Sequence, residues 1–534
     1  MSWGDSLGEE SRMIADKTGV SFREMLSGER FYYGAELVTT RGIADAQPGS
    51  RLVELAQSLA ADARIGWIST TDNPGGNPML APGWLQRLIR EKTCQSVAHI
   101  TCKDLNRNGL ESAAWGYAAE GAENVLALTG DFPAAGFNGT ARAVFDLDST
   151  ALVSMLAAMN AGMQSPGRNG IAQTLAKTNF FIGAAVSPFK RHERELMPQY
   201  YKLLRKVRAG ADWIIPQLGY DMRKFHEVKL FLELANMPRP IVGNVYLLNK
   251  TVAGMFNANK IPGCVVSNRL KEECEKQAAS ADKGAKFFQE LAAKQLACFK
   301  GMGFASGYLA GISKCETFFK IIDLAESFGE NDWKEFAQEI QFAQDDEFYL
   351  FEQDAQTRLG KPGELNQAYA ASLKSPARTP NVTLGYQVTR KVHEHVFVPG
   401  TAAFKAGQAI YQRLDKNKDG TISRALHALE FAGKAMVYGC KDCGDCSLPD
   451  CAYLCPRQSC SKCGRNGPCG GSFNGRCEVG EKDCIWTRVY DRLKYYGESQ
   501  NMLEGEAIFA DGNLDGTSAW ANTFMHRDHH AKKR

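Results

Sequence analysis

Ten of the sixteen cysteines in this chain fall between Cys440 and Cys484. Cys440, Cys443 and Cys446 form C-x2-C-x2-C, Cys455 precedes Pro456, Cys460 and Cys463 form another C-x2-C, and Cys451, Cys469, Cys477 and Cys484 complete the run. Thiolates at this density are metal ligands or an oxidation liability, and disulfides suit small secreted folds better than a chain of 534 residues. The spacing, with its Cys-Pro, follows half of a bacterial iron–sulfur run. At least one [4Fe–4S] cluster is therefore expected, with zinc as the alternative that would make the domain purely structural. No histidine lies within the run, so all-cysteine ligation is expected.

A second set of polar residues closes short apolar runs: Glu36 in GAELVTTRG, Thr70 and Thr71 in WISTTDN, Thr101 in HITCKD, Asp131 in LALTGD and Gln217 in IIPQLGYD. A carboxyl between Ala35 and Leu37 is placed to hold its proton and act as a general acid, and a carboxylate at Asp131 could stabilise a developing cation. Taken singly, each could equally be a cap or a hydrogen-bonded strand end. The elements that carry them repeat. From Phe31 to about Gly311, β-rich runs at 33–38, 65–70, 97–101, 125–128, 180–185, 213–217, 241–247 and 304–310 alternate with helical patterns such as 51–62 and 192–207. Eight such units predict an α/β fold, a (β/α)8 TIM barrel, whose strand C-termini form the active face.

The expected organisation is an N-terminal extension (1–30), the barrel (31–325), a helical connector (326–381), a small cysteine-rich metal-binding domain (382–500) and a partly disordered tail (501–534). A net charge of +3 with 23% charged and 44% hydrophobic residues gives no ground for nucleic-acid or membrane partners. No apolar stretch reaches the roughly 20 residues that span a bilayer, and no basic and apolar leader opens the chain, so a cytoplasmic location is expected. Residues 415–426 begin like an EF-hand with Asp415, Asn417, Asp419 and Gly420, yet Leu426 stands where a bidentate Glu is needed, so a turn and helix cap are expected there. The stretch 511–522 fails in the same way. His393 and His395 read as alternate residues of a strand at surface or packing positions.

GAELVTTRG, AHITCKDLNRNGL, NVLALTGDFP and KVRAGADWIIPQLGYD, in this order and separation, resemble the methylenetetrahydrofolate reductase family over about residues 31–311. The resemblance implies a flavin-dependent oxidoreductase that reduces 5,10-methylenetetrahydrofolate to 5-methyltetrahydrofolate. It makes Glu36 the general acid, Asp131 the flavin- and folate-facing carboxylate, and Gln217 a folate ligand. It also implies FAD, in preference to FMN, held by Thr70, His99, Leu128, Thr129, Gly130, Asp131, Arg205 and Lys206. The chain departs from the family pattern at Thr129, at Lys202 and at Leu248, which stands where an aromatic stacks on nicotinamide. CGDCSL, NGPCGG and CEV are similar to the C-terminal domain found with bacterial and archaeal members. That domain implies electrons delivered through metal from ferredoxin or a flavoprotein, with NADH the alternative donor, and an oligomer. Two other functions fit the same motifs: a non-catalytic electron-transfer or assembly subunit, and a one-carbon reductase acting on another pterin carrier such as tetrahydromethanopterin.

Overall fold

The computed structural model describes residues 19–43, 49–92, 94–133, 139–166, 171–416 and 420–533. Eight parallel strands form one sheet: β1 (Tyr32–Leu37), β2 (Ile65–Thr70), β3 (Gln95–Thr101), β4 (Asn124–Leu128), β5 (Phe181–Val186), β6 (Trp213–Pro216), β7 (Val242–Tyr246) and β8 (Ser306–Ala310). Their order is β6-β5-β4-β3-β2-β1-β8-β7. A parallel bridge between Ile214 and Ile241, with Ile214 N–H donating to the Pro240 carbonyl at 2.9 Å, joins β6 to β7 and closes the sheet into a (β/α)8 barrel. Helices follow each strand on the outside. Glu193–Arg208, after β5, buries Leu196, Tyr200, Leu203, Leu204 and Val207, the residues at helical spacing.

The inward positions are chosen by size. Trp67 on β2 and Trp213 on β6 fill the lower barrel, and the neighbouring strands answer with Gly34 and Gly183. A Cβ at these two glycines would come within 2.3 and 2.2 Å of the respective indole rings. The N-terminal end is plugged by the helix Phe22–Ser27, which opens on a reciprocal Ser21–Glu24 capping box and drives Phe22 between Trp67 and Trp213, at ring separations of 5.1 and 5.6 Å. The segment ahead of β1 is thus part of the barrel core. Gly183→Ala should cost about 1–3 kcal/mol or more through overpacking against a fully buried ring, read as a lowered thermal midpoint.

Beyond the barrel, helices Leu384–Val392, Ala402–Asp415 and Thr421–Tyr438 lead into the cysteine loops, and Ile485–Tyr495 then packs along Glu193–Arg208. Tyr490 donates its hydroxyl proton to Glu193 at 2.6 Å across that contact. His393–Phe397 is a π-helical turn in place of the expected strand, stacked through His393 on Tyr453 and Phe397. The expectation of a partly disordered tail also fails, since Ala519–Phe524 is a helix whose Phe524 packs on Phe404 and Tyr411. Asn417 and Asp419 of the EF-hand-like stretch lie outside the described residues. Asp511 accepts from Asn513 N–H as a turn cap. Among the described residues no helix is long and apolar enough to cross a membrane.

Candidate functional site

Strand alternation turns Glu36, His99, Leu128, Gln217 and Tyr246 toward the barrel axis at the C-terminal ends of their strands, with Thr129–Asp131 continuing from β4. Glu36 stands in the funnel with its carboxyl enclosed by protein yet reachable from the mouth. Burial pushes its pKa up to about 7, against a smaller downward pull from Tyr308, whose hydroxyl donates to Glu36 Oε2 at 3.3 Å. His99 is buried, and desolvation with the Lys103 ammonium nearby pushes it down to about 4, so the ring is neutral. Asp131 Oδ2 accepts from Gly75 N–H at 2.8 Å, and Gln217 Oε1 accepts from Leu218 N–H at 2.9 Å, with its amide nitrogen beside Gly263. Thr70 is fully buried, its hydroxyl accepting from Gln86 Nε2 at 2.5 Å.

The cysteine-rich segment closes over one side of this mouth. Gln199 donates to the Cys469 carbonyl at 2.6 Å, Lys190 to the Gly470 carbonyl at 2.7 Å, and Lys202 to the Gly467 carbonyl at 3.2 Å while pairing with Asp148 at 3.7 Å. From the other side Lys462 donates to the Gly130 carbonyl at 2.8 Å and pairs with buried Glu478. Asn466 N–H donates to Asp148 Oδ2 at 2.9 Å. Lys462→Met would leave Glu478 buried without its counter-charge, expected to cost about 3–5 kcal/mol. Chemical denaturation checks the loss, and amide exchange at 128–131 should rise with it.

Within that segment the cysteines separate into two groups of four. Cys440, Cys443, Cys446 and Cys455 line one cavity together with Lys434, Arg457 and Arg465. Cys460, Cys469, Cys477 and Cys484 line another with Lys462, Glu478 and Trp486, directly behind the residues that touch the mouth. Cys451 and Cys463 line neither cavity. Backbone N–H groups of Asp442, Gly464 and Val479 point at Cys440, Cys460 and Cys477 sulfurs at 3.4, 3.4 and 3.5 Å, hydrogen bonds of the kind that support thiolates. A zinc ion with bonds of about 2.3 Å would gather four sulfurs to about 3.8 Å of one another. Among the described residues no three cysteine sulfurs lie within 4.8 Å.

The family described as methylenetetrahydrofolate reductase matches residues 23–305, more than half of the chain. The chain belongs to the methylenetetrahydrofolate reductase family. A second match, described as methylene-tetrahydrofolate reductase C terminal, covers residues 421–510 of this reductase-family chain and takes in both cysteine groups. No curated protein matches it. Among solved structures it is similar to an uncharacterized protein from Clostridium thermocellum that binds two copies of 5-methyl-5,6,7,8-tetrahydrofolic acid (10% identity, 57% of this chain and 96% of that one, TM-score 0.39). It is also similar to a thermostable aldo-keto reductase (14%, 57% and 94%, 0.33) and to a 2,3-dimethylmalate lyase (12%, 57% and 94%, 0.30). At TM-scores this low none of the three bears on the chemistry.

The family resemblance puts a flavin phosphate against Arg205 and Lys206, and in this structure Arg205 is engaged by the cysteine-rich segment. Both side chains are buried beneath the cysteine-rich segment. Arg205 donates to Asn466 Oδ1 at 3.1 Å and to the Glu506 carbonyl at 2.9 Å, and Lys206 donates to the Ala185 carbonyl at 2.7 Å. Burial, then the Lys202 ammonium, pushes Lys206 down to about 7. Arg205 thus ties the barrel helix to the cysteine-rich segment while its buried Nε has no partner, and Lys206 is held within the barrel. Two mouth residues escaped the sequence reading. Tyr308 is the hydrogen-bond partner of Glu36, and Tyr246 is an inward, half-buried aromatic two residues before the fully buried Leu248. Period-2 alternation along β7 and β8 could have found both.

Proposed function

We propose that this chain reduces 5,10-methylenetetrahydrofolate to 5-methyltetrahydrofolate with electrons that enter through metal bound by its cysteines. The observation that carries the reading is Glu36, a carboxyl pushed up to about 7 at the mouth of a barrel of this family. The reaction adds two electrons and two protons to the methylene bridge. Glu36 in its acid form gives a proton to the leaving amine nitrogen, which opens the five-membered ring, and the Tyr308 hydroxyl holds the carboxylate that remains. Ring opening leaves a cationic one-carbon unit on the other nitrogen. The Asp131 carboxylate offsets that charge, and the Gln217 amide offers hydrogen bonds to the pterin.

A hydride equivalent completes the methyl group. FAD, the carrier that the family resemblance implies, would require Arg205 to give up its bonds to Asn466 and Glu506 if that guanidinium is to hold a phosphate, so the chain's own residues are assigned only binding and proton transfer. The second cysteine group, set against the mouth, and Leu248 in the place of a stacking aromatic support a ferredoxin or flavoprotein donor in preference to NADH. Anaerobically purified protein given a reduced viologen and the methylene folate should form the 5-methyl product; metal-replete protein that forms none overturns the activity. Paramagnetic resonance of the reduced protein should reveal reduced clusters, and zinc without iron overturns the electron route. One FAD per chain retained through desalting would identify FAD as that carrier.

A further inference from the structure

Asp450, His529 and His530 stand apart from both cysteine groups. Asp450 precedes Cys451, which lines neither cysteine cavity, and the two histidines come from the folded segment after Ala519–Phe524. His529 Nε2 lies 2.9 Å from Asp450 Oδ2, and His530 Nε2 lies 3.1 Å from Asp450 Oδ1. The three ligand atoms fall within 4.8 Å of one another, and among the described residues no other group of three His, Cys, Asp or Glu does so. We propose that these three side chains form a further metal site, for a divalent first-row transition ion with zinc as the best fit.

The far sides of the rings carry the argument. His529 Nδ1 meets Asp445 Oδ1, and His530 Nδ1 faces Asp528 Oδ2 at 3.9 Å, with Asp445 and Asp528 both buried. Metal-bound imidazoles commonly have this arrangement: one nitrogen goes to the ion, and the other N–H is given to a carboxylate that fixes tautomer and orientation. With bonds of about 2.0–2.2 Å, two atoms on one tetrahedral ion stand about 3.3–3.6 Å apart, so a shift of a few tenths of an ångström from the present 2.9 and 3.1 Å would seat the ion. The competing arrangement is a pair of imidazolium rings on the same carboxylates. Against burial and the rings' mutual repulsion at a separation of 4.0 Å, the surrounding carboxylates of Asp445, Asp450 and Asp528 hold the pKa of both rings up, so ion uptake, which needs both Nε2 atoms unprotonated, is what separates the two arrangements. Two imidazoles and a carboxylate make a borderline donor set that suits zinc and its neighbours over calcium or magnesium.

The site acts as a clip. Asp445 lies between Cys443 and Cys446 and also accepts from Asp511 N–H at 2.9 Å, so an ion on His529 ties the 511–530 segment to the loop that carries the first cysteine group.

The test uses the full chain, purified anaerobically with its cysteine-bound metal in place, freed of weakly held divalent ions and titrated with Co2+. One equivalent should bind with visible ligand-field bands and without the near-ultraviolet charge transfer of a cobalt–thiolate site. His530→Gln, at a half-buried position, should abolish this uptake while the cysteine-bound metal stays unchanged. Asp528→Asn should weaken it about 10–100-fold. No cobalt uptake by the parent chain, uptake with thiolate charge transfer, or undiminished uptake by His530→Gln would each overturn the proposal.

Discussion

Glu36→Gln should lower folate turnover by about 10²–10⁴-fold while metal content and cluster reduction by the donor stay unchanged, because only ring opening needs the proton. Glutamine keeps the volume and the bond from Tyr308 but has no acid form. The same reasoning sets the pH dependence. Glu36 is pushed up to about 7 by burial, so its acid form prevails below that value. Turnover of the parent chain should be flat below about pH 7 and fall about tenfold per unit above it, and the variant should lack this limb. Stability runs in parallel. A carboxyl whose folded pKa is raised lends stability below its unfolded value, near 4.5, and that stability is lost as pH rises through about 7. At pH 8 the variant should therefore be more stable than the parent by up to the order of 2–3 kcal/mol, with no gain at pH 4. Equal loss of folate turnover and cluster reduction would mean that Glu36 acts on the fold and not on the proton.

Cys469→Ser is expected to have the largest structural effect. Cys469 lines the second cysteine cavity, and its carbonyl and that of Gly470 receive Gln199 and Lys190 from the barrel. Metal binding at a structural thiolate site is worth on the order of 10 kcal/mol, against about 1 kcal/mol for one hydrogen bond at the seam. Loss of a ligand should therefore undock the segment as a unit. The variant should lose the metal of the second group and retain that of the first. Amide exchange should rise along 190–208 and 460–484 together, and Arg205 and Lys206 should become accessible to solvent. Full metal content in the variant would refute the grouping of Cys460, Cys469, Cys477 and Cys484. Exchange that rises only at 460–484 would show that the seam stands on its hydrogen bonds alone.

The barrel was legible in the sequence because strand period and site chemistry coincide there. Inward positions at strand ends must carry the polar groups, so GAEL, LALTGD and IIPQLG announce both an element and its place on the active face. The Cys440–Cys443–Cys446 run and Cys455 are close enough in the chain to share one loop cavity, so their proximity could be read from spacing. Tertiary structure alone decided the rest. Spacing paired Cys460 with Cys463, while the fold also brings Cys469, Cys477 and Cys484 to one cavity with Cys460, because residues that far apart are gathered by loop closure and not by local geometry. Helical periodicity marked Arg205 and Lys206 as cations on a barrel helix, yet says nothing of what covers them, and only the fold brings Asn466 and the Glu506 carbonyl to Arg205. His529 and His530 reach Asp450 across 79 and 80 residues. A pairing at that distance leaves no mark on local pattern and exists only once Ala519–Phe524 has packed its aromatic face against the helices before the cysteines.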